Sequence, residues 1–495
     1  MTSPAFLAFD LGAESGRAVL GRLDDDRLEL QEIHRFENQA VRVNEHLHWN
    51  VFNLWCGILL GLKAAVEKTG DALASLGVDT WGVDFGLLDA QDTLIGNPYH
   101  YRDNRTDGMP QRAYQLISPE KLYEITGVYP MQINSLFQLL SMVGSPPLQA
   151  AHTFLNMPDL FNFWLSGVKA SEFTITTTSQ CYNPRAQAWA VELLETLAIP
   201  AHIFGEIVPP GTVLGGLRSG LAGELGCRRI PVVASAGHDT ASAVATVPAL
   251  GRDFLFISSG TWSIMGTLVE RPVIEPQNLA FGLTNEGSAD GEIRLLKNIM
   301  GMWLLQECRR EWAEAGKAYS YDDLTRLAES APRFGAFVLP NHPSFLVPGS
   351  MVEKIQAFCA NTAQSVPQAE GEVVRAILES LALEYWRVAS QIESVLGRNL
   401  DVVHIFGGGS RNRLLNQFTA NSTGKTVVTG PVEAAAMGNI LVQAIATGEL
   451  ASLEEARALV RRSVAVDTYQ PAKTAGWEAA YQRFTAISQQ ETGIA

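Results

Sequence analysis

AFLAFDLGAESGRAVLGRL, residues 5–23, decides how the rest of the chain is read. Ala5 to Leu11 form a short apolar run interrupted only by Asp10. A turn, GAESGR, follows, and AVLGRL and then LELQEIHRF (28–36) resume the alternation of strands. The pattern predicts an antiparallel meander of three strands opening a domain. Its turn sets a carboxylate at a strand end, a run of backbone donors, the Ser15 hydroxyl and the fixed charge of Arg17 close together. That group suits a phosphate and its metal. A single turn of this kind is equally a plain hairpin, so its meaning depends on what recurs downstream.

A helix is expected next, capped by Asn50, with Val51, Leu54, Ile58, Leu62 and Val66 on one face. SLGVDTWGVDFGLLD (75–89) then reads as one buried strand, and strands, helix and strand together indicate an α/β layer. The opening pattern returns at FLFISSGTWSIMGTLVE (254–270), where an apolar strand, a Ser/Gly turn at 258–261 and another strand follow each other. VPALGRD (247–253) interrupts the pattern just before it, which places a boundary near 248 and gives domains 1–248 and 249–495. A third glycine cluster ends the strand VVHIFGGG (402–409). RNRLLNQFTANSTG, KTVVTG and EAAAMGNILVQAIATG continue from it as alternating helix, strand and helix. Glycines at the carboxyl end of a strand let a ligand approach the backbone. None of the three clusters is a GxxxxGK[ST] or a GxGxxG, which disfavours a P-loop NTPase or a Rossmann dehydrogenase.

With 495 residues, 46% hydrophobic and 18% charged, the chain is a multidomain globular protein. A formal charge of −15 without a Lys/Arg-rich run argues against nucleic-acid binding. No apolar stretch approaches the roughly 18 residues that span a bilayer, so no membrane partner is expected. The start of the sequence lacks the basic flank of a signal peptide, and Cys56, Cys181, Cys227, Cys308 and Cys359 are scattered and odd in number. Both point to the cytoplasm. His46 and His48 lack a third ligand and are set aside as a metal site.

In ASAGHDTASAV (234–244), His238 and Asp239 stand side by side among small residues. On local pattern Asp239 is a helix N-cap, with TASAVAT as its helix. YRDNRT (101–106) either shapes a pocket or is a surface ion pair. Trp81 is either a stacking wall or core.

The ordered series DLGAESGR, IHRF, GVDTWGVDFGLLD, YRDNRT, MPDLF, GHDTASAV, SSGTWS, LLKNIMGMWLLQ, FGGGSRN and GPVEAAAMGNI, from about residue 5 to 445, resembles the FGGY carbohydrate kinases. The resemblance implies two α/β domains of the actin-like ATPase (ribonuclease H-like) fold with a cleft between them. It also implies ATP and a ketose as substrates, with Mg2+ as cofactor. The series is nearest to the members that phosphorylate L-rhamnulose at C1, another ketose such as L-fuculose being the alternative. A polymerising or chaperone ATPase and a sugar sensor without chemistry are the readings of other classes, and an intact Asp239 and Arg17 speak against the sensor.

Carried over residue by residue, the resemblance makes Asp239 the general base, with Gly82, His238, Asp239, Thr240 and Asn298 at the sugar. Ala13, Glu14, Ser15, Gly16 and Arg17 surround the phosphates, Thr261 forms the second phosphate loop, and Gln306 and Gly408 meet the nucleotide. Asp10 holds magnesium directly or through water. Asn298 and Gln306 are expected on one helix, eight residues apart and facing the same way. Glu14 departs from the family, whose loop usually has a small or hydroxyl residue there.

Overall fold

A computed structural model of the chain describes residues 3–24, 27–472 and 474–492. Two compact units make it up: Met1–Pro248 with Leu268–Leu295 and Glu433–Val464, and Ala249–Thr267 with Leu296–Val432 and Ala465–Ala495.

The first unit is built on a six-stranded sheet. Its spatial order is Thr212–Gly216, Pro231–Ala234, Leu73–Thr80, Ala5–Leu11, Ser15–Asp24 and Arg27–Glu37. The last three are the antiparallel meander read from the sequence, while Leu73–Thr80 runs parallel to Ala5–Leu11. Every residue of Ala5–Leu11 is buried, because both faces of this central strand are covered. Leu7, Phe9 and Leu11 pack with Val51, Leu54, Ile58 and Leu62 of the helix Val51–Thr69. Its N-cap is Asn50, whose side chain accepts from Asn53 N. Phe6 and Ala8, on the other face, pack with Ala436, Met437, Ile440 and Leu441 of the helix Ala434–Ala446. Each large side chain buried in this way contributes on the order of 2 kcal/mol.

The stretch 75–89 is not one strand. Leu73–Thr80 ends in the main sheet, and Phe85–Leu88 pairs antiparallel with Thr153–Asn156 in a separate two-stranded sheet. Between them Val83 adopts φ +68°, a left-handed conformation that bends the chain away. Apolar continuity alone could not register that break.

In the second unit the strands Trp262–Val269, Leu255–Ser259, Val402–Phe406, Thr426–Thr429 and Thr468–Tyr469 lie in that order. The first pair is antiparallel, the next two pairings are parallel and the last is antiparallel. This repeats the order of the first unit, in which a hairpin partner, an opening strand, two parallel strands and an antiparallel edge succeed one another. The repeat is therefore one of topology. The glycine cluster leads through a 3₁₀ turn, Gly408–Arg411, into the helix Arg413–Thr423, capped by Asn412.

The helix that carries Asp239, Asp239–Ala245, packs against Ala434–Ala446. A Cβ on Gly438 would lie 1.7 Å from the Ser242 carbonyl oxygen, so only a glycine lets the two backbones approach so closely. Gly438→Ala should force the helices apart and cost about 2 kcal/mol or more, lowering the thermal midpoint by about 3 °C or more. Gly220→Ala, in an exposed helix with open space around the added Cβ, should leave the midpoint unchanged or raise it. Equal midpoints for the two variants in thermal denaturation would contradict this packing.

Candidate functional site

Pairing in the sheet brings the first charged cluster together. Asp10 stands opposite Arg17 on the antiparallel neighbour and opposite Asp79 on the parallel one. Arg17 pairs with Asp10 and also with Glu433, at the start of the helix Ala434–Ala446. Asp79 is fully buried and accepts from Asn439 Nδ2 at 2.6 Å through Oδ2, whereas its Oδ1 has no partner among the described residues. Burial raises the Asp10 carboxyl above its ordinary value against the pull of Arg17, and Asp239 adds to the rise. Burial, then Asp10, raises Asp79 further.

The turn beyond Asp10 is pinned from beneath. Gly12 N donates to Ser15 O at 2.9 Å, Asn38 Nδ2 donates to Gly12 O at 2.7 Å and Asn38 N donates to Glu14 O at 3.1 Å. Ala13 and Glu14 lie exposed at the tip and Ser15 and Arg17 are half-buried. The departure at Glu14 is thus a carboxylate in solvent, and the loop is held by backbone.

The N-cap expected of Asp239 is not what the fold makes. His238 occupies the cap position with extended backbone, and Asp239 is the first helical residue. Asp239 Oδ1 accepts from Thr240 Oγ1 at 3.0 Å and lies 3.4 Å from His238 Nε2. The small residues of the motif let the chain enter the helix one residue earlier, so the carboxylate is released from backbone duty. His238 itself is buried. Its Nδ1 lies 3.0 Å from Arg294 Nη2 and 3.4 Å from Glu286 Oε2. Beneath it Glu172 accepts from Thr174 N, Ile175 N and Gly237 N, and Thr174 Oγ1 accepts from His238 N at 3.1 Å.

Gly82 sits in the bend between the two strands, beside the strained Val83. Thr178 Oγ1 accepts from Val83 N at 3.1 Å, and Ser135 Oγ donates to Val83 O at 2.6 Å. A β-branched residue in this region costs on the order of 1–3 kcal/mol and persists where the surroundings enforce it, a mark of functional sites. Trp81 is core: its ring packs tilted against Trp49 with centroids 4.1 Å apart, and both indoles donate to the buried Asp84, whose carboxyl burial pushes up to about 6. The 101–106 segment is no surface ion pair. Asp103 is buried and accepts from Leu47 N at 2.6 Å, and Arg105 is half-buried and donates to Gln138 Oε1 at 2.7 Å.

The second unit carries the remaining candidates. Thr261 lies in the turn between Leu255–Ser259 and Trp262–Val269. Asn298 and Gln306 do not share a helix: Asn298 is on the strand Ile293–Met300, and Gln306 is on the helix Trp303–Glu314 after a turn at 301–302. The apolar LLKNIM run fits strand or helix equally, and Gly301 ends it. Gly408 is exposed with open space around it among the described residues. The steric demand falls on Gly409, where a Cβ would lie 2.1 Å from Ser259 Oγ.

The sequence reading missed Asp79, Glu433, Glu172, Glu286 and Arg294. Asp79 and Glu433 stand within motifs it quoted, yet their roles rest on pairings distant in sequence. Among the described residues no three His, Cys, Asp or Glu side chains gather as a metal cluster, and no helix is long and apolar enough to cross a membrane.

Residues 5–246 match the N-terminal domain, and residues 255–447 the C-terminal domain, of the FGGY family of carbohydrate kinases. The chain is 44% identical to a rhamnulokinase of Bacteroides thetaiotaomicron, over 97% of this chain and 98% of that one. It is 39% identical to a rhamnulokinase of Oceanobacillus iheyensis, over 94% and 97%. Solved structures of a gluconate kinase and a xylulose kinase from Lactobacillus acidophilus superpose with TM-scores of 0.84 and 0.84 at 16% identity. They cover 100% and 99% of this chain and 99% of each of theirs, and they share its fold.

Burial raises the Glu172 carboxyl from 4.5 to about 7, against the donors it accepts from. Its folded pKa lies above its unfolded one, so the stability it contributes is full below about pH 4.5 and is lost as pH rises through 7. Glu172→Gln cannot titrate. The thermal midpoint of the parent minus that of the variant should therefore fall between those two pH values. A constant difference across the range would show that Glu172 does not titrate with folding.

Proposed function

The chain belongs to the FGGY family of carbohydrate kinases, and on that footing we propose that it transfers the γ-phosphoryl group of ATP to the C1 hydroxyl of L-rhamnulose. The products are ADP and L-rhamnulose 1-phosphate, in the breakdown of L-rhamnose. The observation that carries the reading is Asp239: a partly exposed carboxylate at the first turn of a helix, beside His238 and near the Asp10 cluster, in a chain 44% identical to a rhamnulokinase.

Asp239 accepts the proton of the attacking hydroxyl. Transfer passes through a loose transition state, so the placement of the carboxylate counts for more than its basicity. Thr240 Oγ1 orients one of its oxygens. Gly82, His238, Thr240 and Asn298 hold the sugar. The 13–17 turn and Arg17 receive the phosphates, Thr261 a second phosphate contact, and Gln306 and Gly408 the nucleotide. Residues 1–248 thus carry the base, the sugar contacts Gly82, His238 and Thr240 and the first phosphate loop; 249–495 carry Asn298, the second loop and the adenosine contacts.

Asp10 and the unpartnered Oδ1 of Asp79 fit a hard divalent ion. A site with few protein ligands suits Mg2+, which keeps waters and phosphate oxygens about it. When bound, the ion neutralises phosphate charge. Five cysteines without a disulfide among the described residues support a cytoplasmic location.

The test is ADP release from ATP and Mg2+ with L-rhamnulose, L-fuculose, D-xylulose and L-ribulose. L-rhamnulose should be preferred, and hydrolysis without sugar should be slow. Asp239→Asn should lower kcat by about 10²-fold or more with the KM for ATP retained. Preference for another ketose would replace the substrate and keep the mechanism, whereas hydrolysis equally fast without sugar would overturn both.

A further inference from the structure

Arg294 is the most deeply buried charge beside His238. It is 0% exposed, its Nε donates to Gly287 O at 2.8 Å, and its Nη2 lies 3.0 Å from His238 Nδ1 and 3.2 Å from Glu286 Oε2. Its Nη1 has no partner among the described residues. Burying a guanidinium this completely is costly unless an ion pair and hydrogen bonds compensate it, and Glu286 supplies the pair. Glu286 is buried too, and while burial works against its carboxylate, the charge of Arg294 at 3.2 Å works for it. The arrangement lies outside the residues that carry the proposed chemistry, so its cost calls for a use.

We propose that Arg294, neutralised by Glu286, is a positioning residue that fixes the tautomer of His238. A guanidinium only donates hydrogen bonds. The ring nitrogen that accepts from Nη2 is therefore unprotonated, and the proton of the neutral imidazole sits on Nε2. That N–H faces Asp239 Oδ1 at 3.4 Å, longer than an ordinary hydrogen bond. The proton is therefore not spent on the carboxylate, which takes its hydrogen bond from Thr240 Oγ1, and Nε2–H is presented as a donor to an acceptor oxygen of the sugar. Without Arg294, Glu286 Oε2 is the polar neighbour of Nδ1 that remains among the described residues, at 3.4 Å, and a carboxylate accepts only. The proton would move to Nδ1, leaving Nε2 as a lone pair turned toward Asp239, which repels the carboxylate and cannot donate to the sugar. Arg294 and Glu286 thus act as a pair, one selecting the tautomer and the other making the selector tolerable in the interior.

This rests on the reading of His238 as a sugar contact, but its primary test needs no sugar. Full-length protein labelled with 15N in its histidine rings is observed by NMR at neutral pH, His238 being identified by the loss of its signals in His238→Gln. The expected spectrum has an unprotonated Nδ1 and a protonated Nε2. Protonation of Nδ1 in the parent protein overturns the proposal, whatever sugar the enzyme accepts. In Arg294→Met the proton should move to Nδ1 and the KM for the preferred ketose should rise about tenfold, with the KM for ATP unchanged. Arg294→Lys keeps a donor and a charge and should restore both readouts in part. A ketose KM unmoved by the tautomer change would overturn the positioning role. Should Arg294→Met fail to fold, the parent spectrum and Arg294→Lys decide: in Lys the tautomer and ketose KM must shift together.

Discussion

Two carboxylates placed side by side on parallel strands, away from water, are the constraint on which the first unit depends. Asp10 and Asp79 are in register, and side chains in register share a face of the sheet. Left alone they would repel each other and lose their hydration. Arg17, in register with Asp10 from the other side, offsets one of them, and Asn439 offers its amide to the other. The remainder of that network is polar and closed. Gln443 Nε2 donates to Asn439 Oδ1 at 2.8 Å and to Leu7 O at 3.0 Å, and Gln443 Oε1 accepts from Ser75 Oγ at 2.8 Å. Asn439 and Gln443 are one helical turn apart, so one face of Ala434–Ala446 is fixed against the sheet by polar bonds as well as by Ile440 and Leu441.

That fixed helix in turn places Asp239. Its backbone is drawn close enough to Asp239–Ala245 that glycine is required at 438, and the second helix begins where the first allows. From above, His238 and Thr240 border the carboxylate; from below, Glu172 gathers the amides of 174, 175 and 237. The carboxylate is held by its backbone and stays open on one side. A group that accepts a proton during phosphoryl transfer needs that combination of fixed position and accessible oxygen.

Much of this was legible in the sequence where the signal was local. The meander, the Asn50 cap, the repeated strand–turn–strand at 254–270 and the βαβα run after 402 follow from alternation, capping residues and glycine placement. Three readings failed for one physical reason, which is that apolar runs do not announce where the backbone turns. Residues 75–89 contain a break at Val83 that no Gly or Pro signal marks uniquely, and 295–306 contain a strand and a helix. Asp239 was read one position out, since small residues leave the helix start undetermined. Arg294, Glu286 and Glu172 were invisible because each acts across dozens of residues of sequence, and a lone charge in a strand reads as solvent-facing. The 101–106 segment reads the same way: Asp103 and Arg105 look like a surface pair until the fold buries the first against Leu47 N and lays the second over the Tyr99 ring.

The chain order of the first unit has a consequence for synthesis. Its sheet is complete in sequence by Ala234, yet the helix that covers Phe6, Ala8 and Val19 is not made until residues 434–446. During translation an apolar sheet face is therefore finished more than two hundred residues before its cover, which ends at Ala446, is complete. During that interval the face is open to aggregation. A ribosome that stalls after the second unit's first strands leaves a product with an adhesive surface rather than a smaller working domain.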